Sequence, residues 1–306
     1  MRHPTLQQLR HFVALARFGH FGRAARAVHV TQSTLSASLK QLEARLGAAL
    51  VDRTKRRVVL TPLGESTARR AREVLDAVTE LAQAARRESE PLAGTLRLGV
   101  IPTIGPYLLP RALPPLRRAY PRLKIYLTED LTDRLLAMLR EGEIDAALIA
   151  LPWECGAVDH APLFDDAFLL ACRRDHALAR ATTIDPARLG GEGLLLLQDG
   201  HCLRDHALSA CKLGARSHAA AFEGTSLHTL VQMVDNGLGV TLLPEMAVDA
   251  GIARGTRLIT RPLAGAAPKR HIALVWRRGS GRGGEFALLA RELSKTASKR
   301  RPHASA

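Results

Sequence analysis

No apolar stretch in this chain reaches the roughly 18 residues that a membrane-spanning helix requires. Its first residues, Met1-Arg2-His3-Pro4-Thr5, lead into an amphipathic pattern without an apolar signal core, so a cytoplasmic location is expected. Cysteine is scarce: Cys155, Cys172, Cys202 and Cys211 are all there are. In a reducing compartment four such residues are not a structural disulfide framework. The chain also lacks a Gly-rich phosphate loop, a nucleophile elbow and a metal motif of standard spacing. These absences argue against an enzyme, and no cofactor or metal is expected.

What is present is positive charge. The 306 residues carry 44 Lys and Arg against 29 Asp and Glu, a formal net charge of +15. Residues 1–90 hold 16 of the basic and 8 of the acidic residues, more than half the excess in under a third of the length. That density points to a polyanionic partner.

The basic segment carries a recognisable pattern. Leu6, Leu9, Phe12, Val13, Ala16 and Phe21 recur at helical spacing over 5–21, with Thr5 as N-cap. A short helix is predicted over 22–29. After the turn Val30-Thr31-Gln32, a third helix runs over 33–46 with Leu35, Leu39, Leu42 and Leu46 on its buried stripe. Gly47 suits the C-terminal cap. Two helices joined by a short turn form a helix-turn-helix, whose second helix enters the major groove by its N-terminal end. Gln32, Ser33, Thr34, Ser36 and Lys40 are the candidate contacts, because Gln pairs with adenine and Ser or Thr serve several bases. Two short apolar runs then flank a basic turn, which fits a wing. There Arg53, Lys55, Arg56 and Arg57 would grip phosphates.

Thr61-Pro62 caps a long helix to about residue 90. Ala71, Val74, Val78, Leu81 and Ala85 alternate steps of three and four, the seam of a short coiled coil, so a dimer is expected. Pro91-Leu92-Ala93-Gly94 breaks it. From Thr95, short apolar runs at 95–100, 124–127, 146–150, 168–172, 194–197, 240–243 and 272–276 alternate with helical segments such as 131–141 and 225–236. This is an α/β arrangement. The division expected is 1–60 for the DNA-binding head, 61–93 for the linker helix, 94–294 for an effector domain and 295–306 for a disordered basic tail.

Two cysteines lie in Asp199-Gly200-His201-Cys202-Leu203-Arg204-Asp205-His206-Ala207-Leu208-Ser209-Ala210-Cys211. Cationic neighbours and a helix N-terminus would favour the thiolate of Cys202, the reactive form. In one continuous helix the nine-residue offset to Cys211 spans about 13 Å. A disulfide needs Cα atoms within roughly 7 Å, so bridging would force the segment to refold. His201, Cys202, His206 and Cys211 could alternatively be metal ligands, but Cys-x3-His-x4-Cys is not a common zinc spacing. Cys155 and Cys172 fit plain buried apolar positions.

The head resembles the LysR-type transcriptional regulators over residues 5–65. The resemblance rests on Phe21-Gly22-Arg23-Ala24-Ala25, Gln32-Ser33-Thr34-Leu35-Ser36, Leu42-Glu43-Ala44-Arg45-Leu46-Gly47 and Leu60-Thr61-Pro62-Leu63-Gly64. Val51 departs from the family's usual Phe. The family implies a winged helix-turn-helix, a long linker helix and a two-lobed effector domain like periplasmic binding proteins. One lobe would hold about 95–165 and 269–294, the other about 166–268. Most members place a small carboxylate in the cleft between lobes.

The segments 101–110, 199–205, Thr225-Ser226-Leu227 and 239–244 resemble the family's hydrogen peroxide-sensing group. That resemblance implies Cys202 as the peroxidatic thiol and Cys211 as the resolving thiol, joined by a reversible disulfide. Thr103, His201 and Asp205 would position the peroxide, and Thr225 and Ser226 would line the cleft. It further implies promoter DNA as target, activation of oxidative-stress defence genes, a homotetramer, contact with RNA polymerase and reset by a thiol reductant system. His206 departs from the neutral amide expected in that group. The alternatives weighed are a regulator answering to a small carboxylate, and an enzyme such as a thiol peroxidase.

Overall fold

The computed structural model describes residues 3–53, 58–87, 91–211, 223–265 and 269–297. The chain divides into two compact units, 1–90 and 91–306.

The first unit opens with α1 (Leu6–Phe18), α2 (Phe21–Ala27) and α3 (Gln32–Leu46). Local chemistry sets the boundaries. Thr5 and Gln8 form a capping box at the start of α1, and Gly19 ends it with left-handed backbone. Thr31 caps α3, and Gly47 closes it at φ 70°. Phe21, expected at the end of the first helix, instead opens α2, because His20 Nδ1 accepts from the backbone of Gly22 and Arg23. Phe12, Leu15, Ala24, Ala25, Leu35, Leu39, Leu42, Leu50 and Val51 form the core. Leu46, expected on the buried stripe, is 41% exposed. It lies in the last turn of α3, and Leu50 closes the core in its place.

Strands β1 (Val51–Arg53) and β2 (Val58–Leu60) pair antiparallel as the wing. The long helix α4 (Pro62–Arg87) follows, capped where Thr61 Oγ1 accepts from Gly64 N–H. Gly64 is needed there for space, since a Cβ would stand 2.0 Å from the Leu50 carbonyl oxygen. Along α4, Ala71 is buried within this unit while Val74 and Leu81 are exposed.

The second unit is built on one nine-stranded sheet. Its strands are β3 (Gly94–Val100), β4 (Leu123–Glu129), β5 (Ala146–Leu151), β6 (Val158–Arg173), β7 (Leu194–Leu197), β8 (Glu223–Gly224), β9 (Val240–Pro244), β10 (Leu258–Pro262) and β11 (Lys269–Arg277). The order is β4-β3-β5-β11-β6-β9-β7-β8, with β10 also on β6. Helices α5 (Gly105–Ala119), α6 (Thr132–Arg140), α7 (Cys202–Ala210), α8 (Leu227–Asp235), α9 (Glu245–Asp249) and α10 (Gly283–Ala297) connect and cover it. β5 and β9 are buried along nearly their whole length, as suits central strands covered on both faces.

β6 is the spine. Its first part, through Ala167, pairs with β11; from Phe168 it pairs with β9, and from Leu169 also with β10. The expected short strand at 168–172 is therefore only the second half of a 16-residue strand. Residues 295–297, expected to belong to the tail, are helical. Ser294 Oγ donates to the Leu163 carbonyl, and α10 runs on through Lys295 to Ala297 because its inner face packs on β6. Residues 298–306 lie outside the described residues. No described helix is long and apolar enough to cross a membrane.

Candidate redox site and nucleic-acid interface

In the head, α3 presents Gln32, Ser33, Thr34 and Lys40 exposed and Ser36 half-buried. The hydroxyls of Ser33 and Thr34 both meet Thr31 Oγ1, at 2.9 and 2.8 Å. Gln32, Ser36 and Lys40 carry no such tie to the cap. Two contacts that the sequence did not advertise hold α3 against α1. His11 Nδ1 meets Ser38 Oγ at 2.8 Å, and Gln8 Nε2 donates to Gln41 Oε1 at 3.3 Å. Burial holds His11 below the ordinary imidazole pKa, so it stays neutral in this contact. Arg53 ends β1; its side chain, and Lys55, Arg56 and Arg57, lie outside the described residues.

In the second unit the thiols are unpaired. Cys202 is the first residue of α7, and Cys211 caps its other end by donating backbone N–H to Ala207 and Ser209 carbonyls. Both are buried, with Leu203, Ala207 and Leu208 between them anchoring the helix in the core. The helix is continuous, so the two Cα atoms stand about 13 Å apart. Cys172 is buried in β6, and Cys155 is half-buried with Sγ 3.3 Å from the Trp153 carbonyl oxygen.

The electrostatics at Cys202 differ from the sequence expectation. Burial is the largest influence and pushes its thiol pKa up. The neighbours credited with activating it do not do so. Arg204 turns its guanidinium to the Leu197 carbonyl (3.1 Å) and Asp199 (2.9 Å). His201 is itself buried, which pulls its pKa down and keeps it neutral. The cation acting on Cys202 is Arg270, which favours the thiolate, as does Thr132. Thr132 Oγ1 is buried without a regular hydrogen-bond partner. Asp205, expected in a local polar network, is exposed and opposes ionisation of the thiol. Cys211 is pushed up to about 11 by burial.

Arg270 organises this region. It lies opposite Asp166 in the β11–β6 register, and both side chains are fully buried. Its Nε reaches Asp166 Oδ2 at 3.0 Å. Nη1 donates to Thr103 Oγ1 at 2.8 Å and Nη2 to the Thr103 carbonyl at 2.9 Å. Thr103 therefore accepts at its oxygen and keeps its own O–H free to donate. Asp166 Oδ1 accepts from the Met246 N–H at the start of α9. Thr103, Cys202, Thr132 and Arg270 are all buried; Arg270 binds Thr103, and its charge acts on Cys202, as Thr132 does. The expected cleft residues stand apart from them in role: Thr225 is exposed, and Ser226 Oγ is occupied in capping α8 at Thr229.

His206 is a further polar group on α7. Its Nε2 lies 2.9 Å from the Pro152 carbonyl oxygen, and its Nδ1 is buried without a partner. Burial, more than any nearby charge, holds its pKa down. Among the described residues no group of three His, Cys, Asp or Glu side chains could hold a metal ion.

Residues 6–65 match the model described as "Bacterial regulatory helix-turn-helix protein, lysR family", and residues 89–297 match "LysR substrate binding domain". The chain belongs to the LysR family of bacterial regulators. Within the family it is similar to hydrogen peroxide-inducible genes activators. It is 46% identical to the probable activator of that name from Mycobacterium avium, over 94% of this chain and 92% of the relative. It is 42% identical to the DNA-binding transcriptional dual regulator OxyR of Escherichia coli strain K12, over 94% and 93%. Among solved structures, a full-length OxyR from Pseudomonas aeruginosa with a cysteine replaced by aspartate matches at 37% identity and TM-score 0.82, covering both chains fully. A cysteine-to-serine OxyR from Corynebacterium glutamicum with hydrogen peroxide bound matches at 37% identity and TM-score 0.68, over 98% of this chain and 94% of that one.

Proposed function

We propose that this chain is a promoter-binding transcriptional regulator that reads hydrogen peroxide through Cys202 and Cys211. One observation carries the proposal: a buried cysteine at the first position of a helix, its thiolate favoured by Arg270 and Thr132, with a second buried cysteine at the helix's far end. Relatives named for peroxide induction support it. The Cys202 thiol gives up its proton and the thiolate attacks one peroxide oxygen; the S–O bond forms, the O–O bond breaks, and the leaving hydroxide takes up that proton and departs as water. Thr103 and Arg270 supply hydrogen-bond donors to the reacting oxygens, and His201 and Asp205 border the site. Attack of Cys211 on the sulfenic sulfur forms the S–S bond and releases water. Because α7 holds the thiols far apart, closure requires α7 to unwind, which couples the chemistry to a change of conformation.

On this reading the chain acts by controlling oxidative-stress defence genes, and not as a metabolic enzyme. It works in the cytoplasm as a dimer through the exposed Val74 and Leu81 face of α4, and as a tetramer. It contacts RNA polymerase and is reset by a thiol reductant system. A carboxylate-responsive regulator has less support. Arg270, the most deeply buried cation described, is already paired with Asp166.

Mapping thiols by mass spectrometry after one equivalent of peroxide tests the proposal. A Cys202–Cys211 disulfide with Cys155 and Cys172 free is expected; four unreacted thiols would refute it. For the head, Ser36→Ala is expected to cost about 1–3 kcal/mol of affinity at one base position. Arg53→Ala is expected to weaken binding evenly across sequences and to lower the salt slope by about 1. Gel-shift titrations at several salt concentrations check both. Unchanged affinity in both variants would discredit this interface.

A further inference from the structure

Cys202 poses a problem that the groups acting on it do not solve. Burial favours its neutral thiol, whereas the thiolate attacks peroxide. A proton has to leave Sγ, so a base is needed within reach.

The described residues contain two buried side-chain polar atoms without a hydrogen-bond partner, Thr132 Oγ1 and His206 Nδ1. A hydroxyl is not basic at neutral pH; an imidazole nitrogen is. The tautomer of His206 is fixed by its partner. A carbonyl oxygen only accepts, so the Nε2 facing Pro152 carries the proton and Nδ1 holds a bare lone pair. Cys202 and His206 stand at i and i+4 on α7, which brings their Cβ atoms to about 5–6 Å on one helix face. They also share surroundings. Arg270 of β11 and Asp205 of α7 act on both, and His271 of β11 acts on His206. Burial keeps the ring neutral, and hence able to accept, at neutral pH.

We propose that His206 Nδ1 is the general base for Cys202, accepting the thiol proton as peroxide is attacked. The inference rests on the peroxide-sensing reading. Nδ1 makes no hydrogen bond to the thiol in the resting protein, so the proton passes from Sγ to Nδ1 across the bound peroxide. The S–O bond forms and the O–O bond breaks, so sulfur is oxidised by two electrons and peroxide reduced. The leaving hydroxide recovers the proton from Nδ1 and departs as water. An imidazolium beside Arg270 is disfavoured, which speeds this return. His206 ends neutral, with no further reactant consumed.

The test is the rate of Cys202 oxidation in the reduced full-length protein between about pH 5 and about pH 9. Wild type is expected to hold a plateau at neutral pH and to fall roughly tenfold per unit below the His206 pKa. His206→Gln keeps an N–H for Pro152 but cannot take a proton. It is expected to react at least about tenfold more slowly at pH 7 and to climb roughly tenfold per unit toward the Cys202 pKa. Melting and promoter binding of the reduced variant verify its fold. A Gln variant with the wild-type rate and profile overturns the inference. So does a wild-type rate that climbs tenfold per unit through neutral pH, a readout needing no variant. Absence of Cys202 oxidation in wild type at every pH defeats the peroxide reading itself.

Discussion

Cys202→Ser is expected to abolish the response to peroxide while leaving promoter binding by the reduced form intact. A serine hydroxyl is not a nucleophile toward peroxide, and no other thiol shares the setting of Cys202. Cys172 is buried in a strand, Cys155 lacks the Arg270 influence, and burial holds Cys211 up near 11. The exchange removes little volume, so a stability cost of about 1 kcal/mol is expected. Intact mass after peroxide treatment should be unchanged, and a reporter gene should stay at its uninduced level. Cys211→Ser separates the two steps: Cys202 should gain one oxygen and stop at the sulfenic acid. Full induction in the Cys202→Ser protein would sink the sensing proposal. The pair of variants also isolates the conformational step. If oxidation to the sulfenic acid alone left α7 helical and the reporter silent, unwinding for the disulfide is what transmits the signal.

The head was legible because its signals are local. Thr5, Gly19, Thr31 and Gly47 each act within a turn of the boundary they set. The central strands β5, β7 and β9 were legible as apolar runs. The first half of β6 was not, since Val158-Asp159-His160-Ala161-Pro162 has neither clean alternation nor an apolar run, and its order comes from pairing with β11 over a hundred residues away. The redox site divides the same way. The cysteines and the start of α7 could be read from one short segment. Arg270 could not: in Lys269-Arg270-His271 it looks like any solvated basic residue. Its burial depends on Asp166, 104 positions earlier, and on the Thr103 turn. The misplaced credit to Arg204 and His201 has the same origin. Sequence proximity gives a charge's position along the chain, but helix geometry and burial decide which charges face the sulfur.

Replacing Arg270 is expected to produce the largest loss of stability among single changes at this site. Its guanidinium joins β11 to β6 through Asp166 and to the Thr103 turn, all without solvent contact. Arg270→Met would take from the buried Asp166 carboxylate its guanidinium partner and from the Thr103 carbonyl its donor. Breaking a buried pair from one side costs about 3–5 kcal/mol, and in a unit of this size that lowers the melting temperature on the order of 10 °C. Circular dichroism melts check this, and a melting point within a few degrees of wild type would contradict it. The loss of stability and the loss of reactivity can be told apart. Replacing both partners, Asp166→Leu with Arg270→Met, removes the carboxylate as well and should recover much of the stability, because a buried ion pair is often replaceable by packed apolar side chains. Peroxide reactivity should not return. The double variant lacks the cation that favours the Cys202 thiolate, so its thiol pKa rises further and its oxidation slows. A double variant that regained both would show Arg270 to be structural alone, and the activation of Cys202 would then fall to His206 and Thr132.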